Sequence, residues 1–198
     1  MRAYNILALG DSMIKFLPIH VLGCISIAIR GATIQHLERR YLTGRDLRDQ
    51  ENPDVLIIMA GTNNVGQSLY GVEESIHFLF KNLEATFPNI LKIVIGIRII
   101  PRDHGWTVKN SNSQTESRRE LNECLLERTK SFENFVFKNR YRLETVSVIE
   151  NGVKCREIHQ NMFLDDGLHL NRHGKEQLAL RICKMISLEF AQKLMKLD

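Results

Sequence analysis

Three residues of this chain have side chains that can cooperate in acyl transfer: Ser12, Asp166 and His169. A serine hydroxyl becomes a good nucleophile when a neighbouring base takes its proton, and imidazole has a suitable pKa for this near neutral pH. His169 is the candidate base for Ser12. Asp166, three residues earlier, is the candidate acceptor for the other ring nitrogen, where it would fix the tautomer and stabilise the imidazolium. The residue types therefore predict a nucleophilic serine site.

Attack of a serine on an acyl carbon also places negative charge on an oxygen, which N–H donors held in advance can stabilise. The candidate donors are the backbone N–H groups of Ser12 and Gly31 and the side-chain amide of Asn63. Each of these residues follows an apolar run of strand length. We expect them to form an oxyanion hole.

The apolar pattern indicates the elements that would position these residues. Short apolar runs of strand length, each followed by turn residues, lie at 5–9, 24–29, 55–60, 93–100 and 145–149. Apolar residues at helical spacing lie between or after them, at 72–83, 121–136 and 178–190. Apolar strands that alternate with amphipathic helices are typical of a parallel sheet covered on both faces. The pattern predicts a three-layer α/β domain.

Ligands of such sheets bind outside the carboxyl ends of the strands. Ser12, Gly31 and Asn63 all follow predicted strands, so we expect them to meet at this rim. The segment before the last predicted helix would bring Asp166 and His169 to the same place.

Four separated blocks of the sequence resemble the SGNH hydrolases, also called GDSL-type esterases and lipases, in the order in which that family carries them. They are Gly-Asp-Ser-Met at 10–13, Gly31, Gly-Thr-Asn-Asn at 61–64 and Asp-Gly-Leu-His at 166–169. The resemblance implies a flavodoxin-like parallel sheet of about five strands and an ester-hydrolysing Ser-His-Asp enzyme that needs no cofactor. With 198 residues, the chain is expected to form one domain, 1–198.

Three positions depart from the family pattern. Met13 replaces the leucine of the namesake block, which is a volume-conserving change. Asn64 stands where the family often has aspartate, so local hydrogen bonding there is in question. Arg30 precedes Gly31 in place of a small or apolar residue, and either contacts an acidic group of the substrate or is simply solvated.

The polar loop after the fourth predicted strand supplies candidate substrate-binding residues, Arg102 and Trp106. A tryptophan at the active rim could wall an acyl or leaving-group pocket, although packing onto the core is an equal alternative. The loop is short and polar, with little apolar surface to bury a long acyl chain. We therefore expect short acyl groups such as acetyl.

Two alternative readings concern metal and nucleic acid. His169 and His173 are four residues apart with acidic residues nearby, but the glutamate of a zincin motif is replaced by Leu170, so no metal is expected. The basic residues at 118–119 and 138–142 are more typical of solvated helix faces. A narrower resemblance of the run 166–175, to esterase-like domains of eukaryotic retroelements, would instead suggest weak binding to RNA or anionic lipid.

Composition excludes several classes of protein. Hydrophobic residues make up 43% of the chain and charged residues 25%, which is typical of a globular domain rather than a disordered one. The formal net charge of +4 is spread along the chain and does not indicate a nucleic-acid-binding protein. The four cysteines show no paired spacing, and no apolar run is long enough for a signal peptide or a bilayer span. We expect a cytoplasmic or nuclear protein that acts on a small ester or lipid substrate.

Overall fold

The computed structural model describes residues 4–15, 24–42, 47, 53–97, 108–138, 145–150, 153–158, 160–162, 164 and 169–194. Five strands form one parallel sheet in the order β2-β1-β3-β4-β5. They are β1 (Ile6–Gly10), β2 (Cys24–Ala28), β3 (Val55–Met59), β4 (Leu91–Ile95) and β5 (Phe135–Lys138). The predicted α/β fold with a flavodoxin-like parallel sheet of five strands is confirmed, since this strand order is the flavodoxin-like one.

Within the described part of the chain, the helical elements with given bounds are four α-helices and three short 3-10 helices. The helices are α1 (Ile34–Leu42), α2 (Val72–Thr86), α3 (Val108–Thr129) and α4 (Arg172–Leu194). The 3-10 helices are Ser12–Ile14, Thr62–Asn64 and Gln160–Met162. Apolar residues of α4 pack on one face of the sheet, and those of α1, α2 and α3 pack on the other. The three predicted layers are therefore present.

Alternation within the buried strands explains why helices cover both faces. In β1, Ile6 and Ala8 belong to the apolar cluster under α4, whereas Leu7 and Leu9 belong to the cluster under the other three helices. All five residues of β1, β3 and β4 are buried. Because successive side chains of a strand point to opposite faces, a strand that is apolar throughout must be covered on both sides.

The identity of the fifth strand differs from the prediction. The run 145–149 does not join the parallel sheet: β6 (Thr145–Glu150) pairs with β7 (Val153–Ile158) in an antiparallel hairpin. The sheet is completed instead by β5, although the spacing of Val136 from Phe132 predicts that it continues the helix pattern of 121–136. The helix ends at Thr129, and the following segment pairs with β4. Four-residue spacing alone could not separate a continued helix from a short strand.

The fourth strand is also displaced from its predicted span of 93–100. It begins earlier, at Leu91, and ends at Ile95, and residues 98–100 lie outside the described part of the chain. None of the described helices is both long and apolar enough to cross a membrane. Cys124 and Cys183, the two cysteines whose side chains are described, are free thiols.

Candidate active site

Ser12 lies at the carboxyl end of β1, where it begins the first 3-10 helix. The cap of this helix is Asp11, whose Oδ1 accepts a hydrogen bond of 2.9 Å from the backbone N–H of Met13. Ser12 itself is therefore not the capping residue, and its side chain is available for other contacts. Met13 and Ile14 are buried in the core, which anchors the turn that presents the serine.

His169 lies just before α4 and is held by its own backbone. Its carbonyl oxygen accepts a hydrogen bond of 2.8 Å from the N–H of Leu164. The next residue, Leu170, is buried in the same apolar cluster as Met13 and Ile14. The nucleophile turn and the histidine loop, which are far apart in sequence, are thus anchored in one part of the core.

Asn171 lies immediately before α4, after this loop. Its Oδ1 accepts a hydrogen bond of 3.0 Å from the N–H of Gly174, and its own N–H donates 2.9 Å to the carbonyl of Met162. A side-chain oxygen that satisfies an N–H of the first helical turn is a helix cap. An asparagine three residues before Gly174 is the sequence signal that could have indicated this role.

The side chains of Ser12 and His169 meet at the rim. Ser12 Oγ lies 3.0 Å from His169 Nε2, a distance at which the hydroxyl can donate to an unprotonated ring nitrogen. A base of this kind also needs an orienting acceptor for Nδ1. The predicted convergence of the serine and the histidine is thus present in the structure.

Asp11 gives the site a buried carboxyl group that sequence reasoning had not assigned a role. It is fully buried, and Oδ2 has no hydrogen-bond partner within the described residues. Burial raises the pKa of Asp11 above its ordinary value, while the Met13 N–H, the neighbouring Thr62 and the charge of His169 act to lower it. A charged residue immediately before a candidate nucleophile, at the end of a buried strand, was the available signal.

Two candidate oxyanion donors lie at the same edge of the sheet as Ser12. Gly31 follows β2 and Asn63 follows β3, and both strands pair in parallel with β1. Gly31 has a positive φ of 68°, and a Cβ placed on it would meet no described atom within 4 Å. The side-chain Nδ2 of Asn63 donates a hydrogen bond of 3.0 Å to the carbonyl of Ala32.

Asn64, the position of the departure from the family pattern, is fully buried and hydrogen bonded. Its Oδ1 accepts 2.9 Å from the N–H of Ile34, and its Nδ2 donates 2.8 Å to Gln35 Oε1. Local hydrogen bonding is therefore satisfied with asparagine at this position.

The remaining predicted site residues, Arg102, Trp106 and Asp166, lie outside the described residues. The structure brings together Ser12 and His169, and places Gly31 and Asn63 on the same rim. No group of three or more His, Cys, Asp or Glu side chains within the described part of the chain is arranged to hold a metal ion.

Comparisons with known proteins agree with this architecture. The family model for GDSL-like lipases and acylhydrolases matches residues 7–182. The chain is 26% identical over 174 residues to the platelet-activating factor acetylhydrolase IB subunit beta homolog of Drosophila melanogaster, an alignment that covers 87% of this chain and 68% of that protein.

Two solved structures have the same fold at low sequence identity. A GDSL-like lipase from Bacteroides thetaiotaomicron superposes with a TM-score of 0.67 at 16% identity, covering 94% of this chain and 89% of its own. A psychrotrophic esterase from Pseudoalteromonas gives a TM-score of 0.62 at 19% identity, covering 95% and 99%. Since the family model spans nearly the whole described sheet and its helices, this chain belongs to the GDSL-like lipases and acylhydrolases, the SGNH family of ester hydrolases.

Proposed function

We propose that this chain hydrolyses carboxylic esters with short acyl groups through an acyl-enzyme on Ser12. The observation that carries the proposal is the 3.0 Å separation between Ser12 Oγ and His169 Nε2. In the first step Oγ bonds to the ester carbonyl carbon while its proton passes to His169. The alcohol then leaves with that proton, and a water molecule, deprotonated by the same imidazole, hydrolyses the acyl-enzyme to release the acid.

The other site residues have supporting roles in this proposal. Asp166 would accept the Nδ1–H of His169 and stabilise the imidazolium. The N–H groups of Ser12 and Gly31 and the Nδ2 of Asn63 would donate to the oxygen that becomes negatively charged. The position of Gly31 and Asn63 beyond strands that flank β1 supports this assignment. Arg102 and Trp106 are proposed to contact the substrate.

A short acyl group is supported by two independent considerations. The Drosophila relative is named an acetylhydrolase, and its alignment covers most of this chain. The segment 96–107 between β4 and α3 is short, and each buried methylene of a longer acyl chain would contribute about 0.8 kcal/mol only if apolar surface were available to cover it.

The test combines turnover of p-nitrophenyl acetate with covalent labelling by a fluorophosphonate. Wild type should turn over the ester and take up the label, and Ser12→Ala should lose both. Ser131→Ala, which changes an exposed serine after the end of α3, is the matched control and should behave as wild type. Turnover and labelling that persist in folded Ser12→Ala would refute the assignment of the nucleophile.

The alternative function is a binding module for RNA or anionic lipid with weak catalysis, as in a retroelement-type protein. Two described basic residues of the segments 118–119 and 138–142 are paired with acidic side chains, which does not favour it. Lys138 pairs with Glu189, and Arg119 pairs with Glu116 and Glu123 on its own helix. Retention on RNA or on anionic vesicles at low salt that weakens as salt rises, without ester turnover, would support the alternative instead.

A further inference from the structure

Two adjacent asparagines connect the segment after β3 to the segment after β2. Asn63 Nδ2 donates to the carbonyl of Ala32 at 3.0 Å. Asn64 uses both ends of its amide: Oδ1 accepts from the N–H of Ile34 at 2.9 Å, and Nδ2 donates to Gln35 Oε1 at 2.8 Å. Three side-chain hydrogen bonds thus join the second 3-10 helix to the turn and first residues of α1.

These contacts concern the two proposed oxyanion donors directly. The Asn63 amide has two N–H groups, and the bond to Ala32 uses one of them, which fixes the plane of the amide and therefore the direction of the other. Gly31 lies in the turn closed by the hydrogen bond from the Ala32 N–H to the Ile29 carbonyl, at 3.2 Å. The Gly31 N–H does not take part in this hydrogen bond, and its direction is set by the backbone conformation of the turn.

Asn64 joins the segment after β3 to the start of α1. It is fully buried, and its Oδ1 satisfies a backbone N–H at the start of α1, where helices have donors without intrahelical partners. Its backbone N–H also donates to the Gly61 carbonyl at 2.8 Å, so the residue is held within its own turn as well. The position of the Asn63 side chain relative to the Gly31 turn therefore depends on Asn64.

We propose that Asn64 is a positioning residue for the reaction, which acts by holding the Gly31 N–H and the Asn63 Nδ2 at the spacing that the developing oxyanion requires. The inference rests on the proposed function, because it presumes that these donors meet an oxyanion. Donors stabilise the transition state only when they are placed before the charge appears, and a displacement of about 1 Å can cost about a hundredfold in rate. Asn64 needs no contact with the substrate.

The experiment measures kcat and KM for p-nitrophenyl acetate in Asn64→Ala, with the endpoint of fluorophosphonate labelling as a count of folded sites. We expect kcat to fall by about 10- to 100-fold and KM to change by less than about threefold, because the contact matters mainly in the transition state. Asn64→Asp should restore most of the rate, since a carboxylate can still accept from Ile34 and the Gln35 amide can turn to donate. Asn134→Ala, on the opposite edge of the sheet, is the matched control and should keep kcat.

A double-mutant cycle with Asn63→Ala separates positioning from a general loss of stability. If Asn64 acts through the donors, its replacement should cost markedly less when Asn63 is already alanine. Equal losses in both backgrounds, or an unchanged kcat in folded Asn64→Ala, would overturn the proposal. If Asn64→Ala does not fold, the Gln35→Ala variant tests the proposal instead, because it removes the acceptor of the Asn64 Nδ2. Its kcat should fall while its KM changes little. An unaffected kcat in Gln35→Ala would refute the positioning role of Asn64.

The outcome for Asn64 is distinguishable from the outcome for the proposed function. Turnover that survives in Ser12→Ala refutes the serine mechanism whatever the Asn64 variants do. Turnover that is lost in Ser12→Ala but retained in full by Asn64→Ala refutes only the positioning role.

Discussion

Among the described residues of the site, Asp11 has a fully buried carboxyl group with a raised pKa. It serves as the cap of the nucleophile turn through one oxygen, and the other oxygen is buried without a hydrogen bond from the described residues. Burial raises the pKa of Asp11, so its ionisation is less favourable in the folded protein than in the unfolded chain. Hydrogen bonds from the Met13 N–H and from Thr62 act in the opposite direction.

The raised pKa of Asp11 predicts a pH-dependent effect of Asp11→Asn on stability. A carboxyl whose folded pKa is raised contributes stability below its unfolded pKa, and this contribution is lost as pH rises through the folded pKa. Asparagine cannot ionise, and its Oδ1 can still accept from Met13. The free energy of unfolding of the variant should therefore improve relative to wild type between about pH 4 and pH 7. Urea denaturation of both proteins at the two pH values measures this, and a difference that does not change with pH would contradict it.

The adjacent carboxylates before His169 give a prediction about the orienting residue. Asp166 has the spacing to His169 that the family resemblance implies, whereas Asp165 is one residue further away. We expect Asp165→Asn to lower kcat/KM by less than about tenfold, or about 1.4 kcal/mol, and Asp166→Asn to lower it by more, through the wrong imidazole tautomer. His169→Ala should be the most damaging of the three because it removes the base.

Steady-state kinetics on the three variants, each checked for folding by circular dichroism, measure this order. An Asp165→Asn variant as impaired as His169→Ala, beside an Asp166→Asn variant near wild type, would move the orienting role by one residue.

At the scale of the elements, the end of β1 is constrained by the close approach of β3. A Cβ added to Gly10 would lie 1.9 Å from the backbone oxygen of Met59, a contact that only a separation of the two strands could relieve. A Cβ added to Gly31, after β2, would meet no described atom within 4 Å, and the constraint seen there is the positive φ of 68°. The two glycines are therefore needed for different physical reasons.

This difference predicts unequal costs for the same substitution. Gly10→Ala should lower the free energy of unfolding by more than about 3 kcal/mol, or prevent folding, because the added methyl group overlaps backbone rather than a movable side chain. Gly31→Ala should cost about 1 to 2 kcal/mol, the strain of a side chain in the left-handed region. Chemical denaturation of the two variants compares them. A Gly31→Ala variant as unstable as Gly10→Ala would show that space around Gly31 is tighter than the structure indicates.

The whole molecule determines which acyl groups can be accommodated. Because the segment between β4 and α3 is short, acetyl and butyryl esters should have higher kcat/KM than palmitoyl esters. A series of p-nitrophenyl esters from two to sixteen carbons, measured below the solubility limit of each, tests this. A value of kcat/KM that rises steadily through twelve carbons would overturn the proposal of short acyl groups, while leaving the serine mechanism intact.

The strands of the sheet and the meeting of several site residues were predictable, because in a parallel α/β fold the order of the elements along the chain determines which strand ends lie together. The runs around Leu7 and Ile57 are apolar at every position, and the run around Ile93 is largely apolar, which predicts buried strands of a parallel sheet. Carboxyl ends of parallel strands share one rim, so Ser12 and Asn63 could be placed together from the order of elements alone. The meeting of Ser12 and His169 followed from the same rule together with the family resemblance.

Tertiary structure alone decided which strand completes the sheet and how the rim is held together. The segment Phe135–Lys138 fits either a continued helix or a strand by local pattern, and its pairing with β4, residues distant in sequence, decides between them. The run 145–149 has strand character, but it pairs with its neighbour after a turn. The contacts of Asn64 with Ile34 and Gln35 likewise join segments from different strands. Periodicity reports which residues are buried, whereas hydrogen-bond partners depend on distances between segments that only the folded chain defines.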